Sequence, residues 1–435
     1  MNKHILTLLF AFTFTASGFA QATISPAKSQ TKKIVIVGAT LHVGNGEVIE
    51  NGYVAFDKGK ITAVGKASDV NSTDAQVINA NGKHIYPGFI SPVTNLGLVE
   101  FESVKASLDV QEIGNMNPHI RSIVAYNTDS KVPPTLRSNG VLMAQITPEG
   151  GTIAGSSSVV QLDAWNWEDA VIKTDDAMHM NWPVAPRGRG GFGGGGRTGF
   201  SADAMAERTQ NAIAELDNFF SQAKAYNEGD KPATINSRFA AMAKLLNGKQ
   251  SLFINVNAQK DIVAAVNFSK KYGITPVIVG GSEAYLVTDF LKENNVAVVV
   301  SKPHSLPTNV DDDVNMPYKN AAILANAGVT VVVSIEGYWK QINLPFMAGT
   351  VAAWGLGKEK ALQTITLNTA KVLGIDKTVG SLEAGKDATL FISAGDALDM
   401  KTNKVERAFI QGRDINLDNL HKQLDRRYSE KYGIK

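Results

Sequence analysis

The sequence predicts an α/β fold in which strand–helix units are flanked by shorter all-β segments. Four apolar, β-type runs start near Leu252, Thr275, Val296 and Val329, and segments with helical spacing of apolar residues follow them. The starts lie roughly 20 to 35 residues apart, as parallel strands joined by helices require. Right-handed crossovers of this kind build either a doubly wound sheet or a (β/α)8 barrel. The length of the region from 87 to 355 fits a barrel, although periodicity alone leaves both open.

The two ends of the chain have a different pattern, in which short β-type runs alternate with turn signals. Turns are indicated at Asn45-Gly46 and at Asn51-Gly52. The β-type runs cover residues 34–37, 53–56, 61–64, 388–393 and 405–411. We therefore predict a split β unit to which both ends of the chain contribute.

Composition excludes several classes of function. The 435 residues include no cysteine, which rules out disulfides, thiolate zinc sites, iron–sulfur clusters and cysteine nucleophiles. Lys and Arg number 43 against 41 Asp and Glu, a net charge of +2 that gives no electrostatic reason to expect a nucleic-acid partner. The hydrophobic content of 44% is sufficient for a large core.

The N-terminus has the pattern of an export signal. Lys3 precedes an apolar run over residues 5–15, and Ala20-Gln21-Ala22 offers a cleavage site, which predicts a signal peptide over 1–22. The apolar run is shorter than the roughly 20 residues that a membrane span needs, and no later stretch is long enough. We therefore expect a periplasmic or secreted protein without a membrane span.

Two further segments stand apart. Residues 187–200 (RGRGGFGGGGRTGF) are too rich in glycine to hold a packed core, and we expect a mobile insertion. Their G-x-G-x-x-G match follows no strand, so it does not indicate a dinucleotide site. In the tail, over 416–435, apolar side chains recur at helical spacing, which predicts an amphipathic helix that docks on the body of the protein. These side chains are Leu417, Leu420, Leu424 and Tyr428.

Local catalytic motifs are absent from the sequence. It contains neither G-x-S-x-G nor H-E-x-x-H, the signatures of common serine hydrolases and zinc proteases. After the signal peptide no two histidines lie within five residues of each other, so the sequence has no local pair of imidazole ligands. These histidines are His42, His84, His119, His179, His304 and His421.

Three segments carry a resemblance to a known family. Residues 86–90 (YPGFI) resemble the start of the barrel in the amidohydrolase superfamily, especially its imidazolonepropionase-like and related exported branches. Residues 361–370 (ALQTITLNTA) resemble the family's final helix, and residues 379–388 (VGSLEAGKDA) resemble its return into a β-sandwich. The resemblance implies a distorted (β/α)8 TIM-like barrel plus a small β-sandwich built from N- and C-terminal segments.

The resemblance also implies a division of the chain. The barrel would span 87–376, with the glycine-rich run 187–200 as an insertion. The β-sandwich would take its N-terminal half from 23–86 and its C-terminal half from 377–415, before the C-terminal helix.

Active relatives hold one or two metal ions that activate water and polarise the scissile bond. Their ligands are two histidines on the first strand, one histidine on the fifth and one on the sixth, and an aspartate on the eighth. The positions of this sequence that match them are Val93, Asn95, Asn257, Gly280 (or Gly281) and Glu336. One carboxylate and two amides would bind a divalent transition metal poorly. The resemblance thus predicts a degenerate metal site without a cofactor. If the protein is active by the chemistry of its relatives, the cofactor would be a divalent metal such as zinc.

Other residues at the barrel mouth could take over the role of the family's metal site. Glu336, Lys302 and His304 follow neighbouring strands and are expected to face the same barrel mouth. A Glu336–His304 pair is a candidate for metal-free acid–base catalysis, and Lys302, Asn95 and Asn257 are candidates for substrate binding. Three successive acids, 311–313, are expected to reach over the mouth, but the 12-residue calcium loop is missing.

Three hypotheses follow. The first is an exported amidohydrolase-like protein without metal chemistry that binds a small molecule or serves as a partner subunit. The second is an active hydrolase of non-peptide carbon–nitrogen bonds in cyclic amides, with a rearranged or metal-free site. The third is a structural partner in a heteromer with a metal-competent amidohydrolase. A homodimer of this chain is the alternative assembly.

Overall fold

The computed structural model describes residues 25–184, 201–230, 233–307 and 311–434. The predicted signal peptide (1–22) and the glycine-rich insertion (187–200) lie outside the described residues. Within the described ranges, none of the helices combines the length and the apolar character that crossing a bilayer requires.

The strands of the described residues form three sheets. In chain order they are β1 (Ile34–His42), β2 (Val48–Asp57), β3 (Lys60–Lys66), β4 (Gln76–Asn79), β5 (His84–Pro87), β6 (Phe89–Thr94), β7 (Val141–Ile146), β8 (Ile153–Ser156), β9 (Ser158–Gln161), β10 (Val171–Lys173), β11 (Ala177–Asn181), β12 (Ser251–Val256), β13 (Pro276–Gly280), β14 (Ala297–Val300), β15 (Val331–Val333), β16 (Leu390–Ser393), β17 (Val405–Ile410) and β18 (Arg413–Asp414).

Helices connect many of these strands. The α-helices are α1 (Val132–Arg137), α2 (Trp167–Ala170), α3 (Ala202–Glu228), α4 (Ser237–Ala241), α5 (Ala243–Leu246), α6 (Gln259–Lys271), α7 (Thr288–Glu293), α8 (Met316–Asn326), α9 (Leu344–Val351), α10 (Lys358–Gln363), α11 (Leu367–Leu373) and α12 (Leu420–Tyr432). Short 3-10 turns cover Ala67–Asp69, Lys105–Ser107, Ser122–Ala125, Ala284–Val287 and Trp339–Asn343, and a π-type turn covers Ala352–Leu356.

Both ends of the chain contribute to one eight-stranded sheet, in the order β18-β17-β16-β5-β1-β2-β3, with β4 beside β1. The two ends meet where β5 pairs antiparallel with β16, which places Ile85 opposite Ile392. Side chains from both ends, including Phe56 and Phe409, share one buried cluster. The predicted pairing of the two ends is therefore present in the structure.

One predicted turn at this end of the chain is wrong. Asn51 and Gly52 lie inside β2 rather than between two strands. Asn51 has a φ of 47°, and the register with β1 slips between the pairs Ala39–Gly52 and Leu41–Ile49. Asparagine tolerates this left-handed conformation, so the dipeptide forms a bulge within the strand instead of a hairpin.

The middle of the chain forms two sheets, with the orders β10-β9-β7-β6 and β15-β14-β13-β12-β11-β8. Strands β11 to β15 are all parallel, as the spacing of the strand–helix units predicts. The segment β8–β9 joins the two sheets, since β9 pairs with β7 and β8 pairs with β11. Together these elements make a TIM-barrel-like α/β fold with mixed sheets.

Two features of this fold differ from a regular barrel of parallel strands. Both pairings of β8–β9 are antiparallel, because the short connection after β7 is too small for a crossover. Between β15 and β6 the backbone of residues 364–365 intervenes. Val333 N donates to Thr364 O at 3.1 Å, and Ile90 N donates to Ile365 O at 2.9 Å.

The parallel strands are buried on both faces, which explains why their sequences are continuous apolar runs. One face contributes to a cluster that includes Phe253, Val279, Val299 and Val332. The other face packs with the surrounding helices in the largest cluster, to which Ile254 belongs. Because the strands run in one direction, their carboxyl ends open on the same side, where the residues after each strand meet.

The predicted docking of the C-terminal helix is found only near its start, where Leu417 packs against the largest cluster and the His421 ring stacks on Trp339. Helix α12 buries none of its residues, and Leu420, Leu424 and Tyr428 are 44%, 37% and 47% exposed. Helical periodicity shows that one face of a helix is apolar, but it does not show what covers that face.

Candidate ligand-binding cavity at the strand ends

A cavity of about 900 Å³ opens at the carboxyl ends of the parallel strands. It takes lining residues from the ends of β6, β12, β13, β14 and β15, where loops can present side chains without disturbing the strands. Its size is in the range of small-molecule sites. This end of the fold is therefore the candidate functional site.

The structure brings most of the predicted site residues together here. The predicted residues that line the cavity are Val93, Asn95, Asn257, Gly280, Lys302 and Glu336. Of the three acids expected above it, Asp312 is a lining residue, whereas Asp313 forms an ion pair with Lys319. Residues from five separate strand ends and the loops that follow them thus meet at this cavity.

His304 is placed differently from the prediction. Its Nε2 lies 2.5 Å from Thr350 Oγ1 on α9, and its ring centroid lies 5.5 Å from that of Tyr318. Partial burial lowers the pKa of His304. It is not among the described residues that line the cavity, so the structure does not form the Glu336–His304 pair.

Glu336 pairs with Lys302 instead. The Lys302 ammonium lies 2.9 Å from Glu336 Oε2, and both side chains are 60% exposed. Solvent screens such a pair strongly, so it adds little to the stability of the fold. The ammonium does place a positive charge beside the one carboxylate among the positions that match the metal ligands.

The residues at these positions do not fit the metal that the resemblance implies. Val93 has no donor atom, and Gly280 has no side chain at all. A Cβ atom built on Gly280 would lie 2.6 Å from Asn257 Oδ1, so Asn257 fills the space that a side chain there would need. In the described part of the chain, no three His, Asp or Glu side chains are grouped so that they could hold a metal ion.

Gly280→Ala tests the close packing of Asn257 against the backbone. We expect a loss of about 2 kcal/mol in the free energy of unfolding, because alanine disfavours a positive φ and its Cβ would displace Asn257. The φ of Gly280 is 94°. Denaturant titration measures the change.

The matched control is Gly385→Ala, since Gly385 has a φ of 91° and no atom lies within 4 Å of the place that a Cβ would take. It should lose only about 1 kcal/mol, the cost of the backbone conformation alone. Equal losses in the two variants would contradict the role given to Asn257.

The backbone at Val93 is strained. Its φ is 49°, a conformation that β-branched residues rarely adopt. Val93 N donates a hydrogen bond of 3.1 Å to Gln145 Oε1, and its side chain packs against the cluster inside the strands. Strain of this kind persists only where the surroundings hold it, and such positions concentrate at functional sites.

Glu149 is a site residue that the sequence reasoning missed. It follows β7 and lines the cavity, and its Oε1 accepts a hydrogen bond of 3.1 Å from Asn95 Nδ2. Desolvation in the cavity raises the pKa of Glu149, and the nearby charge of Glu336 adds to the effect. Its position after the second strand of the resembled barrel was the signal that could have found it.

Glu336→Gln should lower the pKa of Glu149. The substitution removes the neighbouring negative charge but leaves the desolvation, so the pKa should fall without returning fully to that of a solvated glutamate. An NMR titration of the glutamate side chains measures the change. An unchanged pKa would show that the two carboxylates do not interact, and Asp313→Asn, outside the cavity lining, serves as the control.

A buried polar network lies beneath the cavity. Gln145, which holds Val93 N, donates from Nε2 to Asp176 Oδ2 at 2.8 Å. Ser157 Oγ donates to Asp176 Oδ1 at 2.8 Å and lies 2.9 Å from His179 Nε2. Burial raises the pKa of Asp176 to about 6 and lowers the pKa of His179 to about 3. The network lies away from the cavity surface, so it supports the strand ends rather than touching a ligand.

Fold and site together define an α/β protein of TIM-barrel type with a polar cavity at its strand ends. A model of the amidohydrolase family matches residues 286–415. This region includes β14 and β15, which end at the cavity, and the return into the terminal sheet. Over these residues the chain matches the amidohydrolase superfamily.

Curated relatives extend the similarity over most of the chain. It is 24% identical to an imidazolonepropionase of Symbiobacterium thermophilum over 372 residues, 79% of this chain and 84% of that protein. It is 25% identical to an imidazolonepropionase of Colwellia psychrerythraea over 413 residues, 83% of this chain and 90% of that protein. A match to amidohydrolase tasK of Hapsidospora irregularis is 32% identical over 114 residues but spans 24% of this chain and 12% of that protein.

Solved structures show the same fold. An amidohydrolase from Thermotoga maritima superimposes with a TM-score of 0.75 at 22% identity, covering 88% of this chain and 99% of that one. A molinate hydrolase superimposes with a TM-score of 0.55 at 16% identity, covering 90% of this chain and 95% of that one. At these sequence identities the similarity to the two structures shows the fold alone.

Proposed function

We propose that the protein is an imidazolonepropionase-like amidohydrolase relative with a degenerate metal site, which binds a small polar molecule instead of performing metal-dependent hydrolysis. One observation carries the proposal. The positions that match the metal ligands line a cavity of ligand size, but they present valine, two asparagines, glycine and one glutamate. Such a donor set suits hydrogen bonding far better than it suits a transition metal.

The lining favours a ligand with several hydrogen-bonding groups. Asn95, Asn181, Asn255 and Asn257 each offer an amide that both donates and accepts. Asn255 Nδ2 already donates to Asn181 Oδ1 at 2.8 Å, which orients that pair. Cyclic amides present the complementary arrangement of N–H and C=O groups, so we propose them as the ligand class.

The proposal also covers export, closure of the barrel, the β-sandwich and assembly with a partner. Residues 1–22 direct export to the periplasm or the medium, and residues 364–365 complete the barrel between β15 and β6. The terminal sheet folds into the small β-sandwich, with halves from 23–86 and 377–415. A homodimer, or a heteromer with a metal-competent amidohydrolase, would make this chain a partner subunit.

The experiment measures metal and ligand on the same protein. Purified mature protein is incubated with zinc or manganese, desalted and analysed for metal, and hydantoin is added as the probe in a saturation-transfer NMR titration. We expect less than about 0.1 metal ion per chain. Hydantoin should bind, and Asn257→Leu should weaken it about tenfold while Asn71→Leu, on an exposed loop, does not. Near-stoichiometric metal together with metal-dependent ring opening would overturn the proposal.

A second candidate is hydrolysis of a carbon–nitrogen bond without a metal. The raised pKa of Glu149 favours it, because a carboxyl group that keeps its proton more readily can serve as a general acid. Protonated Glu149 would donate to the leaving nitrogen while Glu336 takes a proton from the attacking water.

Hydantoin turnover in the presence of EDTA tests this candidate. Glu149→Gln should abolish turnover, and Glu112→Gln, on a neighbouring loop outside the cavity lining, should leave it intact. Absence of turnover in the wild-type protein would remove this candidate and leave ligand binding.

A further inference from the structure

A second cavity, of about 740 Å³, lies at the opposite end of the fold. Its lining includes Arg137 and Leu162, close to the start of β7, where Leu162 N donates to Leu142 O at 3.0 Å. Because β9 runs antiparallel to β7, the residues after β9 lie at the amino end of β7. This cavity is therefore separate from the one at the carboxyl ends of the strands.

One wall of the second cavity contains a buried cation. The Arg137 side chain is 4% exposed, and its Nη1 donates to Asp163. The same carboxylate also accepts from Arg413 Nη1 at 2.9 Å and from Ala27 N at 2.9 Å. Two guanidinium groups thus share one carboxylate, which leaves a net positive charge in a buried place.

Arg137 also has an unsatisfied hydrogen-bond donor. Its Nε is buried and has no acceptor among the described residues. An unpartnered N–H on a buried cation is costly, so the surroundings of Arg137 do not fully compensate its charge. Lys131, Asp129 and Asp163 also line the cavity, so its charged lining side chains balance. The excess positive charge comes from Arg413, which is not a lining residue but contacts Asp163.

Part of the lining of the second cavity is apolar. Trp165 lines it and is 65% exposed, which is unusual for a large aromatic side chain. Pro26, Pro133 and Pro134 add rigid apolar surface around it. An exposed indole in the lining offers a stacking surface for a flat or apolar group.

We propose that this second cavity binds a small organic monocarboxylate. Its carboxylate would lie against Arg137 and balance the excess charge, while its apolar body packs on Trp165. A charge-assisted contact with a buried guanidinium is among the strongest that a carboxylate can form. This ligand differs in charge from the cyclic amide proposed for the strand-end cavity, and it binds in a different cavity.

Benzoate is the probe, and calorimetric titration of the mature full-length protein is the measurement. Benzamide, which has the same shape without the charge, should bind at least about tenfold more weakly. Trp165→Ala should weaken benzoate about tenfold, because the stacking surface is lost. Trp165 is exposed, so this variant should fold normally, unlike substitutions of buried Arg137.

Two controls locate the binding. Trp354→Ala changes another partly exposed tryptophan, 38% exposed and outside this cavity, and should leave benzoate affinity unchanged. Lys302→Ala removes the ammonium of the strand-end cavity and should also have no effect. Benzoate and benzamide of equal affinity, affinity lost in Lys302→Ala but not in Trp165→Ala, or no saturable binding of benzoate would each overturn the proposal.

Discussion

Asp163→Ala is expected to lower the free energy of unfolding by about 3–5 kcal/mol, because it leaves two guanidinium groups buried without a counter-charge. Arg137 and Asp163 are 4% and 2% exposed at their side chains, and Arg413 is 15% exposed. Asp163 also accepts from Ala27 N, so the substitution would release the N-terminal segment from β9. Urea or guanidinium titration at neutral pH measures the loss.

The control is an ion pair of similar geometry at the surface. Lys271 Nζ lies 2.6 Å from Asp217 Oδ1, but solvent reaches both side chains. Asp217→Ala should therefore change stability far less, since solvent screens the pair. A small loss in Asp163→Ala, comparable to that of the control, would mean that water or a bound anion already compensates the buried cations.

His179→Gln is expected to change the pH dependence of stability. His179 is 1% exposed, and burial lowers its pKa to about 3 in the folded protein. An unfolded histidine titrates near 6.5, so its contribution to stability is complete above that pH and is lost as the pH falls toward 3. Between pH 7 and pH 4 the loss amounts to about 3 kcal/mol, and glutamine, which does not titrate, should abolish it.

Asp176, in the same network, changes the pH dependence of stability in the opposite direction. Its pKa is raised to about 6, so the folded state binds a proton that the unfolded state releases, and this contribution grows as the pH falls. From pH 7 to pH 4 it adds about 2 kcal/mol, which largely offsets the histidine in the wild-type protein. Without His179 the offset disappears, and the variant should gain stability relative to the wild type on acidification.

The measurement is a denaturant titration of both proteins at several pH values, read as their difference, so that the other carboxyl groups cancel. His421→Gln is the matched control, because His421 lies on the exposed start of α12 with its ring stacked on Trp339 at 5.4 Å. Its profile should run parallel to that of the wild type. A parallel profile for His179→Gln as well would show that His179 is not held neutral by the fold.

Much of the fold could be predicted because burial determines the local pattern of apolar residues in the sequence. Strands such as β12 and β14 are buried on both faces and are therefore continuous apolar runs, which periodicity detects. The motif at residues 86–90 fixed the positions of Val93 and Asn95, and both line the cavity. The antiparallel pairing of β8 and β9 was not predicted, since a short apolar run between turns does not indicate the direction in which a strand pairs.

The site was predicted only in part, because contacts between residues that are far apart along the chain produce no local sequence pattern. Glu149 and Glu336 influence each other across the cavity although almost half the chain separates them. His304 follows β14 as Lys302 does, but its ring is bound to Thr350. The position after a strand indicates a barrel end, whereas the direction of the side chain depends on the loop and on the helix that packs against it.

The sequence by itself determined the alternation of strands and helices, the joint sheet of the two chain ends and the residue types at the positions that match the family's metal ligands. Each of these depends on residue type and spacing along the chain, which burial and hydrogen bonding constrain locally. The tertiary structure alone decided which charges meet: Lys302 with Glu336, Arg137 with Asp163 and Arg413, and His179 with Ser157. Electrostatic interactions depend on distance and burial in space, and neither can be read from separation along the chain.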